Sequence, residues 1–290
     1  MKKNLLILSL VYMIVFSAFA QEEQATEKDR PVRSPFESGL LIDNQTTVIS
    51  GAKTLEFDIQ HKFGTIDNGF SDLFGLYAPG ANIRMALNYV PMKNLQVGYG
   101  LSRINMYNDF SVKYTILEQT RNNTIPVAVA VFANMAIDGR SDDAFGDNYQ
   151  FSDRMSYFSQ LIIGRKFSEA ISLQANVSFT HYNKVEPDYD HDKISAGVNG
   201  RVKISPQSSI LVQYDIPMKI KSISEHTHFD NAAEHNMGIG WEIRTRTHFF
   251  QIYMGSADGL IPQHNAMYNT NDWTNGDLMF GFTIARLWSF

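Results

Sequence analysis

From about residue 53 to the last residue, apolar and polar side chains alternate with period two, in segments of about ten residues. That period marks strands with one face in an apolar medium and the other in a polar one. In Ile171–Thr180, Ile171, Leu173, Ala175, Val177 and Phe179 share one face; Ser172, Gln174, Asn176, Ser178 and Thr180 share the other. Leu95–Ser102, Ile194–Ile204 and Met237–Arg244 repeat the pattern. Less regular copies run over Leu55–Phe63, Ile83–Tyr89, Phe110–Leu117, Val127–Met135, Tyr157–Lys166, Ile210–Ile216, Phe249–Met254 and Leu278–Phe290. The sum is about twelve strands, each long enough for a tilted membrane crossing of roughly 9–11 residues.

A water-soluble sandwich also alternates, so three further features decide. The polar face carries charges of both signs, at Glu56, Asp58, Lys62, Arg84, Lys113, Arg201, Lys203, Asp215, Glu242 and Arg244. Such a face suits the polar lumen of a barrel, and these residues are expected to line it. Charge-capable exceptions on the apolar face (His61, Arg165, His181 and Arg286) fall near strand ends, where their cost in a bilayer is smallest. Aromatics at two heights, Phe63, Phe110, Tyr157 and Phe179 on one rim and Tyr89, Trp288 and Phe290 on the other, suit interfacial girdles. Connections then alternate between short and long, as periplasmic turns and external loops do. The long ones cover 64–80, 136–154, 182–191, 217–235 and 255–277. The expected fold is an all-β, antiparallel, up-and-down transmembrane barrel of about twelve strands, occupying residues 53–290.

The first 52 residues differ. Lys2 and Lys3, an apolar run from Leu5 to Phe16, and Ser17-Ala-Phe-Ala20 form a signal peptide, expected to be cleaved after Ala20. Export and a cell outer-membrane location follow. Residues 21–52 read as a periplasmic leader, of which Ser38–Ser50 forms a short strand or tucks into the lumen. Thr46-Thr-Val-Ile49 superficially matches the box through which energised transporters contact an inner-membrane partner, but such barrels have about 22 strands. The absence of cysteine excludes disulfides and thiolate metal sites, and the net charge of −5 gives no footprint for nucleic acid. No cofactor is expected.

The C-terminal segment Leu278–Phe290 resembles the last strand of outer-membrane proteins, with Phe280, Phe282, Trp288 and Phe290 in the pattern that the barrel-assembly machinery reads. That resemblance implies the machinery as a partner, besides outer-membrane lipids. Ser38-Gly-Leu-Leu-Ile-Asp43 and Leu55–Gly64 are similar to segments of a Bacteroidota outer-membrane barrel family that brings no activity with it.

Candidate chemistry is sparse. His226, His228 and Asp230 in one external loop form a metal hypothesis, since imidazoles two apart on an extended chain project to one side. Asp188, Asp190 and Asp192 open like a calcium loop but lack its sixth-position glycine and twelfth-position Glu. Ser159 and His181 face outward on neighbouring strands, as the serine and histidine of outer-membrane phospholipase A do. Pairing Ser159 with Val177 leaves His181 roughly 13 Å away, too far for catalysis, so no catalytic residue is assigned. The expected function is a narrow pore or binding channel for small polar solutes, open unless Ser38–Ser50 or a long loop folds inward. The alternative is a closed barrel acting through its external loops, with Tyr268 and Trp273 as contact aromatics.

Overall fold

The structure, a computed structural model, describes residues 29–220 and 233–290. The expected signal peptide and the metal hypothesis on His226, His228 and Asp230 lie outside the described residues.

A two-residue-per-strand hairpin, β1 (Leu40–Leu41) and β2 (Asn44–Gln45), precedes the barrel. Twelve antiparallel strands follow: β3 (Thr54–Thr65), β4 (Asn82–Met92), β5 (Leu95–Ser102), β6 (Asn108–Leu117), β7 (Ala128–Ile137), β8 (Met155–Lys166), β9 (Ile171–Tyr182), β10 (Asp192–Lys203), β11 (Ser208–Lys219), β12 (Asn236–Arg244), β13 (His248–Gly255) and β14 (Met279–Ser289). Each pairs with its sequence neighbours, and β14 pairs with β3 to close the ring. Closure leaves no unpaired edge, the condition for a sheet to stand in hydrocarbon. No helix among the described residues is long and apolar enough to cross a membrane.

Burial along the strands is inverted relative to a water-soluble domain. In β9, Ile171, Leu173, Val177 and Phe179 are exposed, while Ser172, Gln174, Asn176, Ser178 and Thr180 are buried. Val198, Ile239 and Ile252 are likewise exposed on other strands. An outer wall of this composition is stable only against an apolar medium.

Register corrects one sequence expectation. Ser159 pairs with Phe179, not Val177, and His181 pairs with Tyr157. The β8–β9 turn is centred one residue later than the apolar pattern suggested, with Phe167 N–H donating to Ile171 O at 2.9 Å. Ser159 and His181 thus sit two positions apart along the strands. The His181 ring is engaged elsewhere, with Asp192 Oδ1 at 2.8 Å and Asn183 Oδ1 at 3.0 Å.

Leu173→Arg, at mid-strand on the outer wall, is expected to destabilise the folded barrel by about 2–4 kcal/mol. Ile171→Arg, at the strand's end, should cost only about 0–1 kcal/mol. Urea unfolding in vesicles measures both, and equal losses would contradict the placement of β9 across the bilayer.

Candidate functional site

The lumen is occupied from both ends. From one end comes the segment that precedes β3. A strap at residues 29–33 runs beside the β6–β7 connection, with Val32 N–H donating to Gln119 O and Arg121 N–H to Arg30 O. Asp29 accepts from Thr124 Oγ1 at 2.5 Å and Asn122 N–H at 3.1 Å. Hydrogen bonds from the Thr120 and Thr124 side chains hold its carboxyl below the ordinary value. This clip therefore contributes above the ordinary carboxylate range and is lost as pH falls through the lowered value.

The chain then enters the barrel and turns at Ile42-Asp43 between β1 and β2. A two-residue hairpin turn demands left-handed backbone, normally supplied by glycine, yet Ile42 holds φ +54°. For a β-branched residue this conformation persists only where its surroundings over-determine it. Here the surroundings are an apolar seat of Phe36, Leu41, Ile42, Leu211 and Tyr253. Inward-facing glycines on β12 make the room: a Cβ on Gly238 would lie 3.2 Å from Ile42 Cδ1, and one on Gly240 3.5 Å.

Around that seat the hairpin is hydrogen-bonded to much of the wall. Ile42 N–H donates to Gln251 Oε1 and Asp43 N–H to Gln213 Oε1. Lys113 Nζ donates to Gly39 O and Gln45 Oε1, both at 3.0 Å. Asn44 Nδ2 donates to Asp215 Oδ2 at 2.6 Å, and Ser38 Oγ to Glu242 Oε2 at 2.5 Å. Glu37 accepts from Arg201 and Lys203. Gln174 Nε2 donates to Gln45 O at 2.7 Å.

From the other end comes the β13–β14 connection. It carries a short helix, α1 (Pro262–Tyr268), whose Gln263, His264, Asn265, Ala266 and Met267 are buried. Gln263 Nε2 donates to Asn134 Oδ1 at 2.8 Å. Ile261 packs on Tyr107 and Ala136, and Met267 on Tyr182 and Tyr189. Burial pushes the Tyr107 and Tyr268 phenols above their ordinary values, so this aromatic seal stays uncharged. Tyr268 lies 5.2 Å from Tyr182 and 4.9 Å from Tyr189, ring to ring, which corrects its expected role as a free contact aromatic. Trp273 packs edge-on to Tyr214 at 6.2 Å.

Lys62 joins the two stoppers. Its ammonium lies 2.6 Å from Asp43 Oδ1 at the hairpin turn, and it donates to Ala257 O at 2.7 Å and Gly259 O at 2.9 Å in the loop. Both partners of the ion pair are shielded from solvent.

One space left beside the hairpin has a volume of about 50 Å³, enough for roughly three or four waters. Glu56, Asp58, Arg84 and Lys113 line it, with Leu260 and Pro262 as its loop-borne side. Arg84 is held by Asp109 through two bonds at 2.8 and 2.7 Å. The Arg244 guanidinium lies 5.9 Å from the Phe249 ring centroid. Sequence reasoning singled out the charged wall residues but missed the amides Gln174, Gln213 and Gln251, which hold the hairpin backbone. Uncharged residues on a polar face carry no distinguishing signal. Gln174 is held on both sides, its Nε2 donating also to Asn199 Oδ1 at 3.2 Å.

A closed, inside-out ring with a filled polar interior defines a membrane-spanning β-barrel. The chain belongs to the family described as a membrane bound beta barrel domain (DUF5777), whose match covers residues 36–288 and so includes the hairpin. Curated protein sequences offer no match. Among solved structures the fold is similar to the NanC porin, with a TM-score of 0.51, 8% identity, and coverage of 80% of this chain and 98% of that one. It is equally similar to an outer membrane channel from Pseudomonas putida F1, with a TM-score of 0.51, 11% identity, and coverage of 83% and 97%.

Lys62→Met leaves the Asp43 carboxylate buried without its cation, a change that costs about 3–5 kcal/mol where a buried pair is broken. The expected result is faster proteolysis of loop 256–278, partly reversed by adding Asp43→Asn. An unchanged cleavage rate would show that Lys62 does not hold the loop.

Proposed function

We propose that the protein is an outer-membrane channel for small polar solutes, closed in this conformation by the hairpin and the external loop. The observation that carries this reading is the chemistry of the closure. The hairpin meets the wall largely through hydrogen bonds and ion pairs, and the loop adds those of Gln263 and Lys62 to its apolar packing. Water can replace the polar contacts when a segment withdraws. A filling needed only for stability is better made of apolar side chains, because a buried ion pair seldom outperforms them. With the hairpin withdrawn, Lys113 would lose both hairpin acceptors described above, and Asp215 and Glu242 would each lose a hairpin partner. A wall of mixed sign would then face the solute, giving little preference between cations and anions. Barrels of eight strands are filled by their own side chains, while those of 16–18 leave a wide channel. Twelve strands suit a narrow passage.

Export through a cleaved signal peptide and assembly through Phe280, Phe282, Trp288 and Phe290 complete this reading. On β14, Phe280 and Trp288 are exposed on the outer wall, and Phe290 follows the strand's end. A non-enzymatic role accords with the His181 ring being engaged by Asp192 and Asn183.

The filled lumen also favours a second reading, a permanently closed barrel that acts through its external loops. Planar-bilayer recording separates the two. The intact protein should be largely silent, deletion of residues 36–50 should give discrete steps, and Lys62→Met should give intermittent ones. Silence from all three, with each shown to be folded, would exclude the channel and leave the closed barrel.

A further inference from the structure

The connection from β3 to β4 is chemically unlike an external loop in water. Gly69-Phe-Ser-Asp-Leu-Phe-Gly-Leu-Tyr77 offers five large apolar or aromatic side chains and one charge. Most of them stay exposed, Phe70 at 85% and Tyr77 at 76%. The loop lies against the outside of the barrel, not over its mouth. Leu73, Phe74 and Leu76 from the loop, with Phe250, Phe280 and Phe282 from the outward faces of β13 and β14, line a groove of about 490 Å³.

The backbone fixes this arrangement. Gly64 N–H donates to Gly75 O at 3.0 Å. A Cβ on Gly75 would fall 2.1 Å from Gly64 O, and φ there is +83°, so the crossing requires glycine. Leu73 and Phe74 hold φ of +54° and +55°, a region that bulky L-residues avoid unless their surroundings impose it. Both residues with this backbone, Leu73 and Phe74, line the groove.

We propose that this groove holds one acyl chain of a membrane phospholipid, clamped between the loop and the barrel. The groove is continuous with the outward apolar faces of β13 and β14, and the six side chains named above are all hydrocarbon, so a polar occupant would find no partner among them. The inference does not depend on whether the lumen conducts.

The test is native mass spectrometry of the full barrel, refolded in dimyristoyl phosphatidylcholine vesicles and transferred to detergent. One phospholipid should remain on the wild type through repeated detergent exchange. Leu73→Ser/Phe74→Ser should lower its occupancy about tenfold, the order expected for losing two apolar contacts. Leu161→Ser/Val177→Ser, in the outer-wall groove of β8 and β9, should leave occupancy unchanged. The migration of unheated protein in gels reports whether each variant is folded, and Leu76→Ser serves if the double variant is not. A wild type that carries no lipid, a dimer in its place, or equal loss in both grooves would overturn the proposal.

Discussion

The ammonium of Lys62 is the interaction on which the closed state depends. Moving such an ion out of water costs several kcal/mol, and the cost is offset only when good acceptors surround it. Here three do: Asp43 Oδ1 from the hairpin, and Ala257 O and Gly259 O from the external loop. Neither stopper supplies all three. Withdrawal of either one leaves a cation in the lumen wall with incomplete partners, which weakens the hold on the other. The two closures, entering from opposite ends, are thereby coupled through a single side chain of β3.

The barrel makes that arrangement possible by reversing the usual order of a fold. Its apolar side chains face outward and its polar ones inward, so its interior is a polar network with small apolar clusters inserted. Such a network is stable only when its members find partners, and the hairpin supplies many of them: backbone carbonyls for Lys113 and Gln174, an amide for Asp215, a hydroxyl for Glu242. The hairpin is in this sense part of the lumen wall, and the family match beginning at residue 36 agrees with that view.

The period-two pattern made the barrel legible, because a one-residue slip would put Leu173 and Val177 inside and Gln174 and Asn176 in lipid. The lumen's contents were less legible. A trace of them stood in the inward register, where Leu211 and Tyr253 interrupt the polar face and Gly238 and Gly240 leave it bare. Inward apolar residues imply something apolar to meet, and inward glycines imply something close. What they meet, Phe36, Leu41 and Ile42, lies about 170 residues or more away in sequence, a separation that no local pattern spans. The β8–β9 register escaped for a related reason: the turn residues Phe167–Ala170 leave the strand ends ambiguous, and ladder pairing decided them.

The most direct measurement is thiol accessibility in a chain that has no cysteine of its own. Ser111, half-buried, lines the space beside the hairpin, and Ser111→Cys introduces one small reactive group there. In the folded, membrane-embedded protein, a water-soluble maleimide should label this thiol far more slowly than a thiol placed at Thr274 in the external loop. Deletion of residues 36–50 should bring the two rates together. Rapid labelling at position 111 with the hairpin intact would contradict a lumen closed by the hairpin and the loop.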